Sequence, residues 1–209
     1  MGKPLTREPR LESERQRARE RVLEAAGALF YRDSVHAVGV DAIARKAGVA
    51  KISLYRNYDS KDDLVVAYLA RRRADFWHQW DDAFARYAQD PRAQLDAIMG
   101  YLAERTAQPG YRGCPFLNFC CEFPEDSHPG RAIAEAVKRE MSQRLLRIAR
   151  ALGVHEPKRL AEALLLLVEG AYATSQTSRG RNGAARSLVW AANALVDAQP
   201  RLHTSVPAP

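Results

Sequence analysis

Between Arg45 and Lys61 the chain gathers Arg45, Lys46, Lys51, Ser53, Tyr55, Arg56, Asn57 and Lys61. These are cations, hydroxyls and an amide, the side chains that bond phosphate oxygens and base edges. The remaining reactive groups are Cys114, Cys120, Cys121 and His128. A thiol nucleophile needs a base and an oxyanion-stabilising group, and no motif near these four supplies the second. No histidine stands at ligand spacing from the cysteines, because prolines and acids separate His128 from them. The reading is therefore no catalytic set, no metal and no cofactor. Three thiols, two of them adjacent, make a poor disulfide framework. They read as buried structural thiols in a reducing cytoplasm.

The basic stretch needs elements that expose it. Ala44 is the small residue at a helix crossing, Gly48 the turn residue four positions on, and Val49 and Leu54 are apolar anchors. Ile43 and Ala47 complete the buried side. These offsets predict two short helices, about 41–47 and 51–57, joined by a glycine turn. An ordinary helical hairpin with a glycine cap meets the same spacing. Charge favours a helix pair facing a polyanion. The net charge is +7, and residues 1–73 hold 16 Lys and Arg against 10 Asp and Glu. The other 136 residues hold 16 against 15. A basic reading module beside a nearly neutral body fits that asymmetry.

The rest of the chain reads as helices. Residues 1–12 are a polar arm, and Ser13 with Gln16 reads as a capping box for a helix over 13–32. That helix has Val22, Ala26, Leu29 and Phe30 on one face. Ser60 with Asp63 caps a longer helix carrying Leu64, Tyr68, Phe76, Trp80 and Phe84. Pro91 suits the first turn before a helix over 93–107. Residues 108–130 are rich in Pro and Gly around the apolar piece PFLNFCCEF. Helices then follow over 131–152, 157–178 and 183–198. No β-alternation and no internal repeat appears, so the fold class is all-α. The expected domains are 13–59 for the helix-turn-helix and 60–198 for a larger helical body, with a disordered tail over 199–209. No apolar run is long enough to cross a bilayer, and the first residues carry no signal-peptide core.

The segment IARKAGVAKISLYRNYDSKDDL resembles the signature of the TetR family of transcriptional regulators. The correspondence runs through Leu54-Tyr55, Tyr58 and Ser60-Lys61, and upstream through LEAAGALFYRD, covering about residues 20–66. The resemblance implies an N-terminal three-helix DNA-binding domain on a helical domain that dimerises and binds a small ligand. It also implies DNA contacts at Arg45, Lys46, Lys51, Ser53, Tyr55, Arg56, Asn57 and Lys61. Tyr58 stands where the family has Phe and is expected to pack. Several positions depart from the pattern. Ser34 replaces a glycine after the first helix. Val38 and Gly39 replace a Thr/Ser pair, leaving Asp41 as a substitute cap. Ile52 replaces a frequent glycine, where it faces either a thymine methyl or the protein.

In the larger body, LAEALLLLVEGAYA (160–173) is apolar on nearly every face and must be covered on both sides. A buried helix in a monomer meets that need, and so does a twin subunit. The expected dimer residues are Leu160, Leu164, Leu167, Ala171, Leu188, Ala192, Leu195 and Val196. A dimer implies double-stranded DNA with a palindromic operator. Candidate pocket residues for an unidentified small-molecule effector are Trp77, Trp80, Phe84, Met99, Phe116, Phe119 and Phe123. The polar candidates beside them are Asn118, Glu169, Tyr172 and Gln176. The whole pattern reads as a ligand-released homodimeric repressor in the cytoplasm. Two other classes share some of the features: a non-specific architectural DNA binder, and an enzyme using Cys114 or Cys121 with His128.

Overall fold

A computed structural model describes residues 8–125, 127–177 and 183–200. The described chain is helical, with no strand among the described residues. Its elements are α1 (Glu8–Asp33), α2 (Val40–Ala47), α3 (Lys51–Tyr55), α4 (Lys61–Ala85) and α5 (Pro91–Thr106). They continue with α6 (Pro115–Glu122), α7 (Gly130–Ala151), α8 (Pro157–Thr177), a 3-10 turn (Ala184–Ser187) and α9 (Leu188–Asp197). The packing falls into two units. One joins residues up to Arg73 with Pro115–Ala134, and the other joins Ala74–Cys114 with the chain from Glu135. This cut differs from the expected boundary at 59/60, because the α6 segment and the first turns of α4 pack with the N-terminal helices.

In the first unit, Val22, Ala26, Leu29 and Phe30 form the buried face of α1 expected from their spacing. Phe30 meets Tyr68 of α4 edge-on at 5.7 Å. Helix α1 begins at Glu8, so Ser13 lies inside it and caps nothing, and the expected arm shrinks to residues outside the described ones. Past α1, Ser34 takes φ 82°, a left-handed conformation that costs a non-glycine residue about 1–2 kcal/mol. The departure at that position is thus visible in the backbone.

The turn after Ser34 is held from far along the chain. The Glu122 carboxylate accepts from the backbone N–H of Val35 at 2.8 Å and of His36 at 3.1 Å. The His36 ring stacks on Phe123 at 4.4 Å, and Phe123 stacks on Phe119 at 4.7 Å. His128 packs against both phenylalanines. The Pro- and Gly-rich stretch therefore contains a helix, α6, that its apolar character hinted at and its prolines disguised.

In the second unit, α5 packs on α8 and α9, and α8 on α9. Asp90 Oδ1 caps α5 by accepting from Arg92 N at 2.9 Å and Ala93 N at 3.0 Å, which places Pro91 in the first turn. Arg92 forks onto Asp197 at 2.8 and 3.0 Å. The last helix was expected as one piece over 183–198. It is a 3-10 turn followed by α9. Gln199 and Pro200, expected in the tail, belong to the described structure, and Pro200 O accepts from His155 N at 2.9 Å. Residues 201–209 of that tail, and most of the SRGRNG loop, lie outside the described residues. Cys114 is buried as expected, but Cys121 is exposed on α6, whose two adjacent thiols must point differently.

Gly130 starts α7 where a Cβ would stand 2.8 Å from both Leu69 Cδ1 and Phe119 Cζ. Gly130→Ala is expected to destabilise the protein by about 1–3 kcal/mol through overpacking, read as a lower urea midpoint.

Candidate nucleic-acid interface

Helix α3 has five residues, too few to hold a helix in water unaided. Its shape comes from Leu54, which is fully buried against the neighbouring helices, as are Ile43, Ala44 and Ala47 of α2. Gly48 closes α2 in the left-handed region at φ 64°, and its N–H bonds Arg45 O. Val49 N reaches Ala44 O at 3.1 Å, which completes the turn into α3. The expected anchors Ile43, Ala44, Ala47 and Leu54 are buried, while Val49 is half-buried.

With Leu54 turned inward, Lys51, Ile52, Tyr55 and Arg56 stand outward and Ser53 is half-buried. Ile52 is 63% exposed and Tyr55 43% exposed, which resolves the Ile52 alternative in favour of the outer face. Arg45 and Lys46 are exposed in the last turn of α2. Lys61 opens α4, where Ser60 Oγ accepts from Asp63 N at 3.0 Å as the expected cap. The Lys61 cation and the N–H groups not taken up by Ser60 favour an anion there, against the adjacent Asp62 and Asp63 carboxylates. Gly39 starts α2 without a side-chain cap. Asp41 does not substitute. It pairs with Lys51 at 2.9 Å, and the hydrogen bond to Asp41 holds the Lys51 ammonium above its ordinary range.

Asn57 is a correction. The sequence predicts it on the outward side of a helix running to residue 57, but α3 ends at Tyr55. Asn57 is 8% exposed, and its Nδ2 donates back to Ser53 O at 2.8 Å. Tyr58 packs as expected, 3% exposed beneath the Arg19 guanidinium at 4.3 Å. Burial raises its phenol above the usual range.

The supports of α3 come from residues that no motif in the sequence marks. Arg15 donates to Arg56 O at 3.0 Å and Arg19 to Asn57 O at 2.5 Å. Two α1 cations thereby satisfy carbonyls that the short helix leaves open at its C-terminal end. Both look like ordinary solvated arginines in sequence. Only the spacing of four between them, on the side of α1 next to its apolar stripe, was available as a signal.

The expected pocket residues divide between the units. Phe116, Asn118, Phe119 and Phe123 belong to the first, with Phe116 and Phe119 buried. Trp77, Trp80, Phe84, Met99, Glu169, Tyr172 and Gln176 belong to the second. There Trp77 and Trp80 pack edge-on at 5.6 Å, with Arg144 over Trp77 at 4.1 Å. Met99 is fully buried, Phe84 is half-buried, and Gln176 is exposed rather than turned inward. The Lys138 ammonium pairs with Glu169, lies 3.7 Å from Cys114 Sγ, and sits 5.4 Å over the Tyr172 ring.

The expected dimer residues need a larger correction. Leu160, Leu164, Ala171, Leu188, Ala192 and Val196 are buried within the protomer, because α8, α9 and α5 pack that stripe into their own core. Leu167 and Leu195 are half-buried. The apolar side chains left outward are Leu166 and Trp190, each 73% exposed.

Comparison with known proteins agrees with this geometry. The family model for bacterial regulatory proteins, tetR family, matches residues 22–68. A TetR transcriptional regulator from Streptomyces avermitilis is 31% identical, with a TM-score of 0.75 over 88% of this chain and 99% of that one. The chain belongs to the TetR family. A TetR-family regulator from Streptomyces coelicolor is 26% identical, with a TM-score of 0.76 over 87% of this chain and 93% of that one. The transcriptional regulator AcuR of Cereibacter sphaeroides is 33% identical over 64% of this chain and 65% of its own length. The match to an uncharacterised HTH-type transcriptional regulator of Mycobacterium tuberculosis, 39% identical, spans 26% of this chain and 27% of that relative.

Asn57→Ala is expected to lower stability by about 1 kcal/mol through the lost hydrogen bond. It should leave discrimination among operator bases unchanged, as read by competition binding beside a thermal melt.

Proposed function

We propose that this chain is a sequence-specific, DNA-binding transcriptional regulator, a homodimeric repressor that leaves a palindromic operator when a small effector binds. The observation that carries the reading is the α2–α3 pair. Its buried side is apolar, and its open side presents Arg45, Lys46, Lys51, Ile52, Tyr55 and Arg56 together. Cations at that density match a phosphate backbone, and Ile52 suits the thymine methyl in the major groove. Lys51 trades Asp41 for a phosphate on binding. Lys61 and Ser53 add contacts at the flanks.

A reader this small specifies a short half-site, and two copies on a twofold axis specify enough sequence for one operator. Half-sites then lie about 34 Å apart or a multiple of that spacing. The covering surface for a second copy is the outward side of α8 and α9, where Leu166 and Trp190 face solvent beside Gly170, Thr174 and Ala191. Among the described residues no helix is long and apolar enough to cross a membrane. A cytoplasmic site of action is part of the proposal.

Three measurements test it. In titrations of the native upstream region against random DNA, the protein is expected to prefer one palindrome. Equal binding to both overturns the regulator in favour of an architectural protein. Lys51→Ala combined with Tyr55→Phe is expected to weaken operator affinity by roughly tenfold or more, with a shallower salt dependence and an intact oligomer. Unchanged affinity removes both residues from the interface. Leu166→Glu combined with Trp190→Glu is expected to yield monomers by light scattering and to abolish tight operator binding. A stable dimer in that variant places the interface elsewhere.

A further inference from the structure

Between Val40 and Asn57 the α2–α3 pair carries four cations and a single acid, Arg45, Lys46, Lys51 and Arg56 against Asp41. That acid is not shared among the cations. Its Oδ1 stands 2.9 Å and its Oδ2 3.2 Å from Lys51 Nζ, so both oxygens hold one ammonium. Among the described residues no carboxylate pairs with the side chain of Arg45, Lys46 or Arg56. The pair joins the first turn of α2 to the first residue of α3, 10 positions apart.

A brace between the two helices is the plainer role for such a pair, and its openness argues against it. The Lys51 side chain is 51% exposed and that of Asp41 67%. An ion pair this open is worth roughly fivefold or less in an equilibrium constant. The buried Ile43, Ala44, Ala47 and Leu54 already hold α2 and α3 together. The same openness makes the pair easy to exchange. A phosphate that reaches Lys51 takes the place of Asp41, beside a carboxylate that repels it. Every duplex meets this competition whatever its sequence, because phosphates carry no base identity.

We propose that Asp41 is a built-in competitor for DNA, which holds Lys51 until a phosphate displaces it and so lowers the affinity of the reader for any duplex. The inference rests on the proposed reading of α2–α3 as the DNA-facing pair and adds how its grip is limited. The consequence is for release. Coupling between an effector and a distant site typically spans about 5- to 150-fold. An operator complex held far more tightly than that stays closed when the effector arrives. A competitor worth up to about fivefold at each of two readers lowers the affinity of the dimer by the product of the two. That brings the complex toward the range in which such a coupling opens it.

The test is equilibrium binding of the full chain to native upstream DNA and to random duplex across a salt series, beside a thermal melt. Asp41→Asn is expected to bind both duplexes about five- to tenfold more tightly. Its salt dependence is expected to steepen by about one for each reader engaged. Its melting temperature should stay equal or fall, since a carboxylate in the first turn favours α2. A brace predicts the opposite sign for DNA, weaker binding together with the lower melting temperature. Asp41→Glu keeps the charge and is expected to stay within about twofold of the wild type. In a Lys51→Gln background, Asp41→Asn is expected to gain less than about twofold, because the two residues act as one unit. Unchanged or weaker binding by Asp41→Asn, an equal gain in the Lys51→Gln background, or a gain on only one of the two duplexes overturns the competitor. Equal wild-type binding to both duplexes, with the gain present on both, overturns sequence-specific reading and leaves the competitor standing. Preference of the wild type for the upstream DNA with no gain in Asp41→Asn does the reverse.

Discussion

Everything the reading surface does depends on the burial of Leu54. A helix of five residues pays the nucleation cost of its first turn and recovers too few hydrogen bonds to offset it. Leu54 removes that difficulty by lying at zero exposure among residues of α1 and α2. Because the helix turns about 100° per residue, fixing Leu54 inward fixes Ile52, Tyr55 and Arg56 outward. Gly48 sets the direction in which this short cylinder points. Packing, turn geometry and exposed chemistry are thus one constraint seen at three scales.

The electrostatic design follows from the same shortness. The carbonyls at the end of α3 are open, and α1 answers them with Arg15 and Arg19. These cations serve the fold, while Arg45 and Lys46 stand exposed on α2 and Lys61 is half-buried at the start of α4. The surplus of positive charge in the first third of the sequence therefore has two parts. One stabilises the reader and the other faces outward.

Much of this was legible in the sequence, and the legible part was local. The face of α1, the turn at Gly48, the cap at Ser60 and the all-helical class are written in spacings of a few residues. What was hidden depended on partners far away or on where an element stopped. Asn57 was misplaced because nothing in its neighbourhood shows that α3 ends two residues earlier. Leu160, Leu164 and Leu188 were assigned to an interface because an apolar stripe does not say whether its cover is the same chain or another. Helix α6 was masked by the prolines on either side of it. The left-handed backbone falls at Ser34, the residue that stands where the family has a glycine, and that missing glycine is itself a local signal.

The hold of Glu122 on Val35 and His36 also bears on how the protein comes into being. The turn that leads into the reader is bonded to a residue 86 and 87 positions later. During synthesis the three N-terminal helices emerge first, at a few to some twenty residues per second. Their turn lacks this acceptor until about sixty further residues have followed, and closing so long a loop carries its own entropic cost. The nascent head is therefore incomplete for several seconds after its own sequence is finished. The DNA-facing part of the molecule matures only after α4, α5 and α6 have all been made.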